Sequence, residues 1–501
     1  MPSTPPYLDL ADWRDHVLSS AEPGGTARFA GLFGDADGEG GILLTAVLFP
    51  PSAGEPELLH TYLAPGQLRY AALSPDLPAA FWYERALHDL FGTRPEGHPR
   101  LDPLLLPLSD PARAPLPGVT AAPPPLGPDE KAVPRATTGP GVFTFPHGPV
   151  RSGVFESIQY LLETPGEDIL RLQIRPFYKH RGVSKRFEGC GLDDAVLVAE
   201  RAEGISSVAH ALALTGAIER CAGVQAPWAA RLVRTQQAEL ERVANHLDVM
   251  LKLTDAAGLA VATSRFGLHK ERLLRLRGAL CGSRYGRGVV VPGGVQALPR
   301  LDPAQTQRQL NALEETIAGD WKAALSTPSF LDRLRTTGVL LPALAIPHGA
   351  LGPVGKASGS AVDARYDRPY DAYTALGLGE LPVHTKGDVL ARTEVRGHEI
   401  TQSFRLLRQI AEELRSLPDD PDLRNQLPER VSGETTGWAE SAQGEVLYLV
   451  RLEEGRVARC VPRSASFHNL VLLHEVFGTD ILTDFPFIEA SFGVSMAGVA
   501  I

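Results

Sequence analysis

Glu200, Arg201, Glu203, Ser206 and His210 crowd the first half of AERAEGISSVAHALALTGAIERC, Ala199 to Cys221. Carboxyl and imidazole side chains are the groups that most often donate and accept protons, and burial raises a carboxyl's pKa toward the range where it can do so. Ile205, Val208, Leu212, Thr215 and Ile218 recur every three or four residues. That spacing predicts one helix over the whole stretch, with the acids in its first turns near the positive end of the dipole. A second helix is predicted from Ala226 to Leu253, with Leu240, Val243, Leu247 and Leu251 as its buried stripe. Glu239, Arg242 and His246 lie at i, i+3 and i+7 and share another face of it. Taken alone, such a face is a solvated, salt-bridged one. The four cysteines, Cys190, Cys221, Cys281 and Cys460, form no CxxC pair, so no cysteine-bound zinc, iron–sulfur or nickel site is expected within the chain.

The elements that must position these residues belong to a chain of 501 residues, long enough for two units. A formal net charge of -10 with no basic stripe argues against a nucleic-acid partner. No run of about eighteen apolar residues exists to span a membrane. The start, MPSTPPYLDLADWRDH, lacks the basic and apolar segments of a signal peptide, so a cytoplasmic location is expected. No Gly-rich nucleotide loop follows a strand, so nothing here points to NADH binding.

Ile42 to Phe49 and Leu58 to Leu63 read as strands and Ala79 to Leu90 as a helix, giving a small α/β unit over residues 1–107. Residues 108–141 read as a Pro-rich linker, with Pro123 to Pro125 at its centre. The second unit, residues 142–501, opens with alternating apolar positions such as Leu170, Leu172 and Ile174, which predict a small antiparallel sheet.

Several strings match known signatures. FWYERALHDLFGTRPEGHP resembles the signature of the C-type (30-kDa) subunit of bacterial NADH-quinone oxidoreductase (respiratory complex I), at Glu84, Arg85, Asp89, Leu90, Phe91, Gly92, Gly97, His98 and Pro99. FYKHRGVSKRFEG, with His180, Arg181, Gly182 and Lys185, resembles the H-R-G-x-E-K element of the D-type subunit of complex I and of the group 4 hydrogenases, with Ser184 departing from it. AELERVANHLDVM, RYGRGVVVPGGV, GKASGSAVDARYDRPYDAY and the Trp438, Glu440, Gly444, Glu445 set follow in the family's order. The opening stretch resembles the nickel-binding helix E-R-x-C-G-x-C-x-x-x-H, but Glu203 and Ser206 stand at the cysteines. At the C-terminus SFGVSMAG puts Ser495 and Gly498 where D-P-C-x-x-C carries its two. A carboxylate and hydroxyls do not replace thiolates in a nickel–iron centre.

The resemblance implies an α+β fold, in which a small N-terminal α/β domain precedes a hydrogenase-large-subunit-like domain with an antiparallel sheet and a central helical bundle. It implies a peripheral subunit of a membrane-associated oxidoreductase complex, on the cytoplasmic face of the membrane. Its partners would be a small iron–sulfur subunit and, through the complex, antiporter-like membrane subunits. On this reading the chain itself binds no nickel, lines a metal-free cavity, takes electrons from the partner's iron–sulfur cluster, and has quinone as its candidate ligand. A redox-silent scaffold is the alternative, and an active hydrogenase ranks last. Glu203, His210, His180 and Asp255 are the candidate proton-carrying residues, and Arg181, Arg151, Gly204 and His246 the candidate ligand-binding ones. Two family features are absent: Gly204 falls at a quinone-binding tyrosine, and Arg151 follows Gly148-Pro149-Val150 where a hairpin histidine is usual.

Overall fold

The computed structural model of the chain describes residues 7–22, 24–51, 54–106, 139–151, 156–478 and 480–501. The expected boundary and most of the Pro-rich stretch lie outside these residues. The chain divides into two compact units, one of residues 1–181 with 346–350 and 499–501, the other of 182–345 with 351–498.

In the first unit the strands Arg28–Ala36, Ile42–Phe49 and Glu57–Leu63 form an antiparallel sheet in that order. The helix Phe81–Phe91 packs on it through Tyr83, Leu87 and Phe91. This helix buries its charges instead of displaying them. Glu84 accepts from the backbone N–H groups of Leu73 and Ser74, at 2.8 and 3.0 Å, and Asp89 from Leu104 and Leu105, both at 2.7 Å. Arg85 pairs with Asp102 at 3.1 Å. The charged residues of this signature are therefore side-chain clamps that satisfy loop backbone no sheet or helix can reach. His98 stacks on Phe81, and burial lowers its pKa to about 4. A second antiparallel sheet, Phe143–His147, Gln159–Thr164 and Arg171–Arg175, completes the unit. Leu172 and Ile174 are buried as expected, while Leu170 falls outside the strand and is exposed.

The second unit is a helical bundle with a three-stranded antiparallel sheet, Gly433–Ser441, Gly444–Glu453 and Arg456–Arg463. At its centre is the helix Trp228–Ala256, packed by Ala260–Cys281, Val389–Arg415 and Phe485–Phe492. Leu240, Val243 and Leu247 are buried and Leu251 half-buried, but so are Glu239, Arg242 and His246 on the other face. Gly293 and Gly294 pass so close to the backbone of Asn425 and Leu423 that a Cβ would stand 2.2 and 1.9 Å from their carbonyl oxygens.

The helix predicted over Ala199 to Cys221 is two pieces. One ends at Ala199, the next is Ser207–Ala222, and turns join them. The acids leave the helix because they are acceptors for distant groups. Glu200 takes the Gly288 N–H at 2.6 Å, and Glu203 turns inward. The orphan N–H groups at the new helix start, Val208 and Ala209, are taken by the Glu241 carboxylate at 2.9 and 3.1 Å, an N-cap supplied by the neighbouring helix. Ser206, freed from capping, donates instead to Gln443 Oε1 at 2.8 Å.

Candidate functional site

Two of the buried polar centres in the bundle unit contain the expected site residues. The first surrounds Glu203, which is fully buried. Its Oε2 lies 3.0 Å from His210 Nε2 and accepts from Ser464 Oγ at 2.7 Å, while Oε1 accepts from Ser466 Oγ at 3.1 Å. Ser466 Oγ accepts in turn from the Ser495 N–H at 3.1 Å. His210 Nδ1 lies 2.8 Å from the Tyr448 hydroxyl. Burial pushes the tyrosine's pKa far up, so it donates to Nδ1 and leaves Nε2–H for Glu203.

The two ends of the metal-type signature meet here. A Cβ on Gly498 would stand 2.6 Å from Glu203 Cδ. The carboxylate thus occupies the space into which a side chain at Gly498 would point. At this point stands a packed, hydrogen-bonded carboxylate whose partners are an imidazole and two hydroxyls, with no arginine among the hydrogen bonds it makes to described residues. A nickel–iron group does not fit these residues. Both Glu203 oxygens are spoken for, Gly498 brings no donor atom, and hydroxyls are poor ligands for a soft metal site. Among the described residues no group of three or more His, Cys, Asp or Glu is arranged to hold a metal ion.

The second centre is built on Glu239, Arg242 and His246. Glu239 accepts from Ser403 Oγ at 2.6 Å and from the Tyr373 hydroxyl, and pairs with Arg242 at 3.3 Å. His246 Nε2 lies 2.8 Å from Glu399 Oε2, and Arg396 donates to its Nδ1 at 3.1 Å, so both ring nitrogens are occupied. Lys356 donates to Glu399 at 2.8 Å and to Asp363, which also holds Arg365 at 2.8 Å. Burial lowers His246 to about 4 despite Glu399. Burial would raise Glu399, but Lys356 and the His246 bond outweigh it and hold the carboxyl well below its usual range.

The remaining expected residues lie elsewhere. Asp255 is exposed at the end of the long helix, and Gly204 is exposed with open space beside it. Arg151, His180 and Arg181 belong to the first unit. There Arg151 stacks 5.1 Å over the Tyr160 ring and sits 3.4 Å from His147 Nε2. Arg181 is exposed. His180 is half-buried and hydrogen-bonds the Ala500 backbone, and its buried Nδ1 has no hydrogen-bond partner among the described residues. The structure brings Glu203 and His210 together and puts His246 in the second centre. Sequence reasoning missed Tyr448, Ser464 and Ser466 in the first centre, and Lys356, Asp363, Arg365, Glu399 and Glu440 in the second. Most of the last group was visible only as charges inside motifs such as GKASGSAVDAR and GWAESAQGE.

Known proteins share this architecture. Residues 259–430 match the respiratory-chain NADH dehydrogenase 49 Kd subunit family and residues 57–117 the 30 Kd subunit family. The D-type subunit of NADH-quinone oxidoreductase from Deinococcus radiodurans is 30% identical over 353 residues, covering 65% of this chain and 88% of that one. The chain belongs to the complex I and group 4 hydrogenase large-subunit family. Its fused arrangement is matched by the C/D-type NADH-quinone oxidoreductase subunit of Rhodopseudomonas palustris, 26% identical over 80% of this chain and 76% of that one. Formate hydrogenlyase subunit 5 of Escherichia coli is 28% identical over 84% of this chain and 75% of that one. In fold, the chain is similar to one from the membrane-bound sulfane sulfur reductase, an archaeal respiratory membrane complex. That match has a TM-score of 0.67 at 23% identity, over 72% of this chain and 99% of the other. Such relatives are subunits of membrane-bound respiratory or hydrogenase complexes, and no helix among the described residues of this chain is long and apolar enough to cross a membrane.

Proposed function

We propose that this chain is the large, fused C/D-type subunit of a membrane-associated oxidoreductase complex in which a proton-handling centre of Glu203 and His210 stands where hydrogenases bind nickel. The observation that carries the reading is the placement of the Glu203 carboxylate against Gly498, at the meeting of the two motif ends. The pair holds one proton between Glu203 Oε2 and His210 Nε2. Tyr448 fixes the ring's tautomer but is too weak an acid to resupply Nδ1, so the centre stores a proton instead of passing it toward the strand. Electrons come from an iron–sulfur cluster in a small partner subunit, and antiporter-like membrane subunits complete the assembly on the cytoplasmic face. A quinone is the candidate acceptor. His180 supports that choice, because its buried Nδ1, which has no partner among the described residues, is the kind of group that recognises a quinone oxygen.

Glu203→Gln tests the centre. In the assembled complex it lowers turnover by ~10²–10⁴-fold, the range for losing a general acid or base, with assembly unchanged. Full activity in that variant sinks the proton role. Metal and extract analysis of the native complex gives iron without nickel and a co-purified quinone, whereas stoichiometric nickel overturns the reading. Added quinone is expected to compete with inhibitors of the His180 region.

A further inference from the structure

Glu440 is the one carboxylate of the second centre that its neighbours leave half-served. It is 2% exposed, on the strand Gly433–Ser441. Its Oε2 accepts from the Ala364 N–H at 3.0 Å, but its buried Oε1 has no hydrogen-bond partner among the described residues, and the ammonium of Lys356 stops 3.8 Å away. The nearer carboxylates have claimed that lysine: Nζ donates to Asp363 and, at 2.8 Å, to Glu399. Arg242, from the central helix, passes Glu440 by and gives its two terminal nitrogens to the backbone carbonyls of Glu440 and Ser441, at 2.7 and 2.9 Å. Arg365 is committed to Asp363 at 2.8 Å and faces Glu239 at 3.5 Å. The Tyr370 hydroxyl meets the backbone of Glu440, accepting its N–H at 2.9 Å.

The charge balance of the cluster adds a second, independent reason. Arg242, Lys356, Arg365 and Arg396 are its cations, and Glu239, Asp363 and Glu399 are carboxylates held ionised by them. With Glu440 neutral the set carries one net positive charge, and with Glu440 ionised it carries none. Neither state leaves a large uncompensated charge in the interior, so the geometry does not forbid either one. We propose that Glu440 is a proton-binding site, separate from Glu203 and His210, which takes up and releases a single proton inside an otherwise locked ion-pair cluster. Burial, and then repulsion from Asp363, raise its pKa to about 8, which puts the exchange in the physiological range. Glu203 shares no hydrogen bond with Glu440, so the site stands whatever role Glu203 has.

Thermal unfolding of the full chain at a series of values from about pH 4.5, the ordinary carboxyl value, to beyond the titration at about 8 provides the test. A carboxyl raised in the folded state binds more protons folded than unfolded, so it loses stability as pH rises through its folded pKa. Glu440→Gln imitates the neutral acid. Its unfolding midpoint is expected to match the wild type at or below about pH 4.5, where the unfolded carboxyl also holds its proton, and to exceed it by a margin that grows to roughly a few degrees once pH passes about 8. Difference infrared spectra should show a neutral-carboxyl band that fades over the same range and is missing in the variant. Parallel stability curves, or a band that survives the substitution, overturn the assignment. Should Glu440→Gln not fold, Glu440→Asp decides: its shorter arm moves the carboxyl within the cluster and shifts the pH midpoint of the stability loss, and an unmoved midpoint rejects the site. Glu203→Gln serves as control, because the Glu440 titration is expected to survive it, whichever way Glu203 itself is found to act.

Discussion

The two buried centres of the bundle unit solve one problem by different means. At Glu203 the carboxylate is satisfied by an imidazole and by the hydroxyls of Ser464 and Ser466. Around Lys356 the carboxylates are satisfied by permanent cations: Glu399 by Lys356, Asp363 by Lys356 and Arg365, Glu239 by Arg242. Hydroxyls can serve a carboxyl in either protonation state, since they rotate to donate or accept. Ammonium and guanidinium groups cannot, because removing the negative charge strands them. The first arrangement therefore suits a group that changes charge, and the second suits a scaffold, with Glu440 as its one loosely held member.

Substitution at Lys356 separates the two kinds of centre most sharply. Lys356→Met leaves Glu399 buried without its lysine, and Asp363 with Arg365 alone, and is expected to cost ~3–5 kcal/mol, read by chemical denaturation, or to prevent folding. A loss below ~1 kcal/mol would erase the contrast. The tight fit at the first centre is tested by Gly498→Ala, whose Cβ meets Glu203 Cδ at 2.6 Å. It should cost ~1–3 kcal/mol by overpacking, and pairing it with Glu203→Ala should recover much of that. Additive losses would show that the carboxylate and the glycine do not share one space.

Acid sensitivity sharpens the comparison further. His246 is neutral in the fold and depressed to about 4, so its contribution to stability is present above the unfolded histidine's range and is lost as pH falls toward about 4. His246→Gln should flatten that part of the stability curve, and an unchanged slope would reassign the acid response to another group. The smallest effect is expected from Ser466→Ala, which removes one neutral donor to Glu203 and the acceptor for the Ser495 N–H. A cost of ~0.5–1.5 kcal/mol is expected in equilibrium unfolding.

The family motifs placed His210 and the Glu239 to His246 face in helices that the structure has, because such motifs are local strings whose order the chain preserves. The central helix was legible from its apolar period. Its charged face was not, since i, i+3, i+7 spacing is the same for a solvated face and a buried one, and only the surrounding helices make Glu239, Arg242 and His246 interior. The break between Ala199 and Ser207 was hidden too: the residues that pull Glu200 and Glu203 out of helical geometry are Gly288, Ser464 and Ser466, far along the chain.

By itself, then, the sequence determined what each position can offer: no cysteine pair, a carboxyl and a serine where thiolates would stand, a glycine at the last ligand position, and charges spaced along one helix. Only the tertiary structure decided what those groups meet. Hydrogen bonds and ion pairs act over a few ångströms, and the partners of Glu203, Glu399 and Glu440 are supplied by segments that periodicity and local propensity do not relate. The same carboxyl is therefore a surface charge, a clamp or a proton site according to what the fold brings against it.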